Sequence, residues 1–257
     1  MNRFRNLAGY LMMALVLTAL AACGGGGGGG RTADSTVGNG GNTAFTATFL
    51  QPLASSTFSV AVALNGSQEA VGLSDGGSTA PATIKAVAWT VATDGAATTS
   101  AVSPLAMPPG AGDYSAAYGN NNGGAIVGEV EATPAGAIVP AFWPGRAATP
   151  AQVVLLPLGT AARGAAYGIN TAGRIVGELI NGDVPFAATW TNSAVPPANL
   201  PAAGLVASYA YFINDNGEIV GEAIDAAGQP CRALAAERGR RLRDRSDPPV
   251  DNGCPEW

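Results

Sequence analysis

Histidine does not occur anywhere in the chain. Its absence excludes Ser-His-Asp and Cys-His nucleophilic catalysis, and histidine-ligated zinc with them. Charge is also scarce: charged residues make up 12% of the chain, Lys85 is the single lysine, and the net charge is −5. No basic face precedes the last two dozen residues, so the sequence gives no reason to expect a nucleic-acid partner. Cysteine is limited to Cys23, Cys231 and Cys254; an exported compartment would permit a disulfide between the last two, but two cysteines in an irregular tail give little reason to expect one. The glycine runs are not followed by Lys-Ser or Lys-Thr, so no phosphate-cradling loop is present. Dispersed Asp and Glu offer no recognisable acid pair for glycoside hydrolysis. No cofactor is implied by any of these patterns.

What is there is apolar and turn-rich. The chain is 47% hydrophobic, with 36 glycines and 18 prolines. That supports one sizeable core, built from short strands and many turns rather than long helices. Residues 1–22 read as a helical signal peptide: Arg3 and Arg5, then an apolar stretch ending Leu20-Ala-Ala-Cys23. This ending resembles the lipobox of bacterial lipoproteins, which implies cleavage before Cys23 and lipidation of its thiol. Residues 23–42, with seven consecutive glycines from Gly24, bury nothing and read as a disordered tether with a reach of roughly 25 Å. A lipid anchor followed by a spacer holds a folded head off a membrane. Gly24 is not Asp, which by the lipoprotein sorting rule favours the outer membrane or cell surface.

Residues 43–235 form a repeat region. The stretch "YGINTAGRIVGE" at Tyr167–Glu178 returns as "YFINDNGEIVGE" at Tyr211–Glu222. A third copy is "AYGNNNGGAIVGE" at Ala117–Glu129, and a degenerate fourth is "AVALNGSQEAVGL" at Ala61–Leu73. The copies share Asn65, Asn121, Asn170 and Asn214, and a Val-Gly step ending at Gly72, Gly128, Gly177 and Gly221. The spacings between those glycines are 56, 49 and 44 residues.

Each copy predicts a hairpin in which Asn opens a type I turn. Gly124, Gly173 or Gly217 then supplies a left-handed backbone. The strand glycine marks a place where neighbouring backbone or a bulky ring packs closely. A third strand is predicted around Trp89, Phe142-Trp143 and Phe186–Trp190, and a fourth near Leu105, Leu156 and Leu200. The predicted class is all-β: a small or incomplete β-propeller of about four four-stranded blades. The pattern also resembles the HAF-type extracellular repeat of bacteria, over roughly residues 48–234. The histidine of the His-Ala-Phe triplet is missing, and Pro140-Ala141-Phe142 comes closest. That resemblance implies an exported repeat protein without a defined activity.

Thr43–Leu53 has the phase of a fourth strand without a blade. Ala47–Pro52 is therefore expected to pair near Pro230–Ala235 and close the ring. Residues 236–257 form an irregular Arg-rich tail, either solvated or read in a shifted frame. A one-base shift can restore a Trp strand and a leucine strand after Gly228. The Trp of the last copy is missing from Leu234, its expected place, 13 residues after Gly221.

Glu129, Glu178 and Glu222 are the candidate ligand or cation ring; Leu73 takes the place in the first copy. The alternative is that each caps a strand end in solvent. The Tyr118, Tyr167, Tyr211 row reads as packing between blades, and Asn214–Glu218 as a turn rather than a calcium loop. Three functions remain open. One is a lipid-anchored, non-enzymatic module that binds a protein or carbohydrate. Another is an envelope hydrolase or lyase using carboxylates. The third is a degenerate paralogue without activity.

Overall fold

The computed structural model describes residues 49–76, 83–94, 97–200 and 204–235. The signal peptide, Cys23, the tether, the tail from 236 and Cys254 lie outside the described residues. None of the described helices is long and apolar enough to cross a membrane.

The described chain is all-β apart from one short 3-10 turn, Pro150–Gln152. Four antiparallel meanders follow one another. The first is β1 (Ser59–Leu64), β2 (Glu69–Asp75), β3 (Ile84–Asp94) and β4 (Ala97–Pro104). The second is β5 (Ser115–Asn120), β6 (Ile126–Glu131), β7 (Ile138–Trp143) and β8 (Val154–Leu155). The third is β9 (Arg163–Ile169), β10 (Ile175–Asn181), β11 (Val184–Trp190) and β12 (Ala198–Asn199). The last has three strands among the described residues: β13 (Leu205–Ile213), β14 (Ile219–Asp225) and β15 (Pro230–Ala235).

The hairpins form as the repeat predicts. In the turns, Gly124, Gly173 and Gly217 have φ of 83°, 82° and 80°, and each amide donates to the carbonyl of the turn Asn at 3.0 Å. Gln68 takes the left-handed place in the first copy, with φ 60°. The Asn Oδ1 accepts the amide four residues on in all four copies, from Glu69, Ala125, Arg174 and Glu218.

The strand glycine has a local cause. The first strand of every hairpin carries a bulge that leaves Val62, Tyr118, Tyr167 or Tyr211 without a partner opposite. The bulge pushes a carbonyl toward the second strand. A Cβ on Gly72, Gly128, Gly177 or Gly221 would collide with the carbonyl oxygen of Val60, Ala116, Ala165 or Tyr209. Of the two neighbours considered from sequence, backbone is the one present.

The sheets stack in series and bury apolar residues between them. Val71, Ala86, Ala88 and Leu105 of the first sheet pack with Ala117, Ile126, Ala141 and Trp143 of the second. Val127 and Leu156 meet Ala166, Ile175, Ala188 and Trp190 of the third. Val176 and Ala187 meet Ala210 and Ile219 of the fourth. Sheets buried on both faces explain the nearly continuous apolar runs.

Each of Trp89, Trp143 and Trp190 is buried and donates its indole N–H backward along the chain. Trp143 bonds the Ala106 carbonyl at 2.7 Å, and Trp190 the Pro157 carbonyl at 2.8 Å. Trp89 does the same to Gln51 at 2.7 Å. Residues 50–53 thus sit on the first sheet as Leu105–Ala106 and Leu156–Pro157 sit on the second and third. The expected phase of this segment is correct, but its described part lies on the first sheet rather than pairing with β15. The Trp position of the last repeat also needs correction. Counted from the Asp225–Gln229 backbone bond, the β14–β15 loop is one residue longer than its β10–β11 counterpart, which closes at Asn181–Val184. As a result Ala235, not Leu234, stands opposite Ile219, where Trp190 stands opposite Ile175.

Candidate functional site

The bulge that makes the strand glycine necessary also turns a tyrosine inward. Tyr118 and Tyr167 lie with ring centroids 5.4 Å apart, and Tyr167 and Tyr211 5.7 Å apart, the second pair edge to face. Each hydroxyl donates to the glutamate that follows the strand glycine: Tyr118 to Glu129 at 2.7 Å, Tyr167 to Glu178 at 2.8 Å, Tyr211 to Glu222 at 3.2 Å. Tyr114 adds a second donor to Glu129 at 2.6 Å. Tyr209 stacks on Tyr211 at 5.9 Å. The three glutamates are therefore brought into one row with the three tyrosines. The first repeat has Val62 and Leu73 at the two positions, so it lacks both members of the couple together.

The row is graded in burial. Glu129 is 4% exposed, which excludes the solvated strand end for that residue, whereas Glu178, Tyr167, Tyr211 and Glu222 are half-buried. Burial raises the Glu129 carboxyl above its usual range, although the hydroxyls of Tyr114 and Tyr118 work against the rise. Burial likewise pushes Glu178 up to about 7. The Glu129 charge adds to that rise, and the Tyr167 hydroxyl and Arg163 oppose it. Burial and the adjoining carboxylates raise the phenols and keep them neutral donors. No group of His, Cys, Asp and Glu suited to a metal ion occurs among the described residues.

A second row runs through the turns. The Asn65 side-chain amide donates to the Asn121 carbonyl at 2.9 Å, Asn121 to Asn170 at 2.9 Å, and Asn170 to Asn214 at 3.2 Å. Asn65, Asn121 and Asn170 thus each close their own hairpin with the side-chain oxygen and grip the next repeat with the nitrogen. No further copy follows Asn214 among the described residues, and its amide bonds Glu218 at 2.6 Å. Asp215 accepts from the amide and hydroxyl of Thr171 at 2.8 and 3.0 Å, and these bonds hold its carboxyl below the usual range. The Asn214–Glu218 stretch is a turn, as expected.

A third device escaped the sequence reading. The Ser115 hydroxyl accepts the Ala86 N–H of the preceding sheet at 2.9 Å, and Ser208 accepts that of Ala187 at 2.9 Å. At the interface between them the donor position is Pro140, which has no N–H, and the facing residue is Gly164. Serine is present where there is a proton to receive. Only the alignment of facing strands shows that correspondence; spacing along the chain hides it.

No family model, curated protein or solved structure matches this chain.

Proposed function

We propose that this protein is a lipid-anchored, non-enzymatic interaction module of the bacterial cell envelope, a propeller-like repeat head carried on a flexible stalk. One observation supports this reading above the others. The polar groups that the repeat keeps in successive copies are used between repeats or within them: asparagine on the next carbonyl, tyrosine on glutamate, serine on the preceding N–H. Such groups hold an array together and leave recognition to its surfaces. Membership of the HAF-type repeat family is part of the same proposal and rests on the Asn-to-Gly hairpin. The ligand classes that suit the surfaces are protein and carbohydrate.

Two measurements test it. Cells expressing the full chain should incorporate labelled palmitate, and Cys23→Ser should abolish incorporation and release the protein from the membrane fraction. A screen of the full chain against glycan and protein arrays should yield a ligand whose binding survives Glu178→Gln. A hydrolytic or lyase activity lost in that variant would overturn the reading in favour of a carboxylate enzyme, for which the raised Glu178 carboxyl is the supporting observation.

A further inference from the structure

The two ends of the array carry the two halves of an interface that the chain already builds three times. Ala117, Ala166 and Ala210 face the preceding sheet and are all 0% exposed, but Ala61, at the same position in the first repeat, is exposed. Val71, Val127 and Val176 face the following sheet at 0% exposed, but Val220 of the last repeat is 44% exposed. Among the described residues all four repeats are in place, and none of them covers these end faces.

The end residues also differ from their internal counterparts in a matched way. Internally, Ala63, Gly119 and Gly168 lie against the strands bearing Tyr118, Tyr167 and Tyr211; a Cβ on Gly119 would come within 2.5 Å of the Tyr167 carbonyl. The last repeat has Phe212 at that position, 63% exposed. The first repeat has Val62 where the others have tyrosine. Around Val62 lies an open apolar cavity of about 350 Å³, lined by Leu50, Ala61, Ala63, Leu64, Ala70 and Val91. Small against large is replaced by large against small.

The backbone matches as well. Leu105, Leu156 and Leu200 donate their N–H groups to Ala86, Pro140 and Ala187, which joins each fourth strand to its third. On β15 the equivalent carbonyl and N–H belong to Arg232, on the edge of a sheet without a fourth strand among the described residues. Leu50 is the equivalent leucine with no sheet of its own, and Ser59 occupies the place from which Ser115 and Ser208 accept a preceding N–H.

We infer that the last sheet of one molecule docks against the first sheet of a second copy, head to tail. Phe212 enters the cavity beside Val62, Val220 covers Ala61, and residues 49–51 of the second copy add a fourth strand beside β15. The contact is heterologous, so it propagates rather than closing at a dimer. It also buries an exposed strand edge, a feature that proteins otherwise have to protect. The inference rests on the reading of the chain as an interaction module and names the partner as the chain itself.

The test uses the full chain in a Cys231→Ser, Cys254→Ser background. One preparation carries Ala61→Cys and another, with a different tag, carries Val220→Cys. Mild oxidation of the mixture should give a mixed dimer that neither preparation gives alone, and a molecule carrying both changes should give a ladder. A cross-link confined to single molecules carrying both changes would mean that each chain closes on itself, and would overturn the inference. So would no cross-link at all, the result if the tail or another protein covers these faces. Independently, sedimentation of the unmodified protein should rise with concentration, and Phe212→Asp should weaken association at least tenfold. Unchanged association in that variant would also overturn it. A ligand found on the arrays while these tests fail would leave the function proposal standing.

Discussion

The middle of this molecule and its last repeat are built from one motif and held in different ways. Between the second and third sheets, Trp190, Ile175, Leu156 and Val127 are buried, and the asparagine chain is continuous. At the last repeat Ala235 stands in the tryptophan position, Val220 and Phe212 face outward, and Asn214 bonds within its own turn. A residue type thus has no fixed worth in this chain. Its contribution depends on whether another repeat lies beyond it, as expected for an array in which each unit adds its own stability plus an interface term.

The largest test of this contrast is Trp143→Ala against Phe212→Ala. Truncating Trp143 leaves a cavity between two sheets and a free Ala106 carbonyl, and should cost about 3–5 kcal/mol in chemical unfolding. Truncating Phe212 should change stability by less than about 0.5 kcal/mol when the protein is too dilute to associate. Equal losses would show that the last face is covered within the monomer.

Glycine gives the next contrast. Gly128→Ala drives a Cβ into the Ala116 carbonyl and should cost about 3 kcal/mol. Gly124→Ala, four residues earlier and free of neighbours, meets only the penalty of its positive φ, about 1 kcal/mol. If both cost the same, the bulge relaxes and the carbonyl moves aside.

The buried carboxylates should show in the pH profile. Because the Glu178 carboxyl is raised in the folded state, folding favours its proton. The associated stability is full below the unfolded value near 4.5 and is lost as pH rises toward about 7. The loss should be of order 1–3 kcal/mol across that window. Glu178→Gln should flatten the profile across that window. A profile unchanged by Glu178→Gln would mean that water reaches the carboxylate freely.

Asparagine gives the smallest effect. Asn121→Ala removes a buried link between repeats and should cost about 1–2 kcal/mol. Asn214→Ala removes exposed bonds only and should cost roughly 0.5 kcal/mol or less. Amide exchange of the Asn170 turn should accelerate in the first variant and not in the second.

The hairpins were legible in the sequence because Asn170 and Gly173 are local: four residues and their backbone preferences define the turn. The third strands were legible from Trp89, Trp143 and Trp190, since a large apolar ring in a short apolar run has few places to go. The glutamate row was half legible. Repetition marked Glu129, Glu178 and Glu222, but tyrosines eleven residues away became their partners only through a bulge that no spacing rule describes. Ser115 and Ser208 were illegible for a related reason: their partners are backbone N–H groups, which every residue except proline carries. The one-residue difference in the β14–β15 loop shifted the tryptophan place from Leu234 to Ala235, because counting along a chain ignores loop length and pairing across strands does not.

The asparagine chain has a direction. Each side-chain amide reaches forward, so a repeat is gripped by its predecessor and asks nothing of its successor beyond a main-chain carbonyl, which any residue can supply. As far as this link is concerned, a further unit could follow any repeat without a change in the asparagines already present, whereas the small residue at Ala63, Gly119 and Gly168 is a separate requirement. At the final turn a single acid, Glu218, suffices to receive the amide left over. The joint is undemanding, since its acceptor is main chain, and it persists even in the first repeat, whose sequence departs furthest from the others.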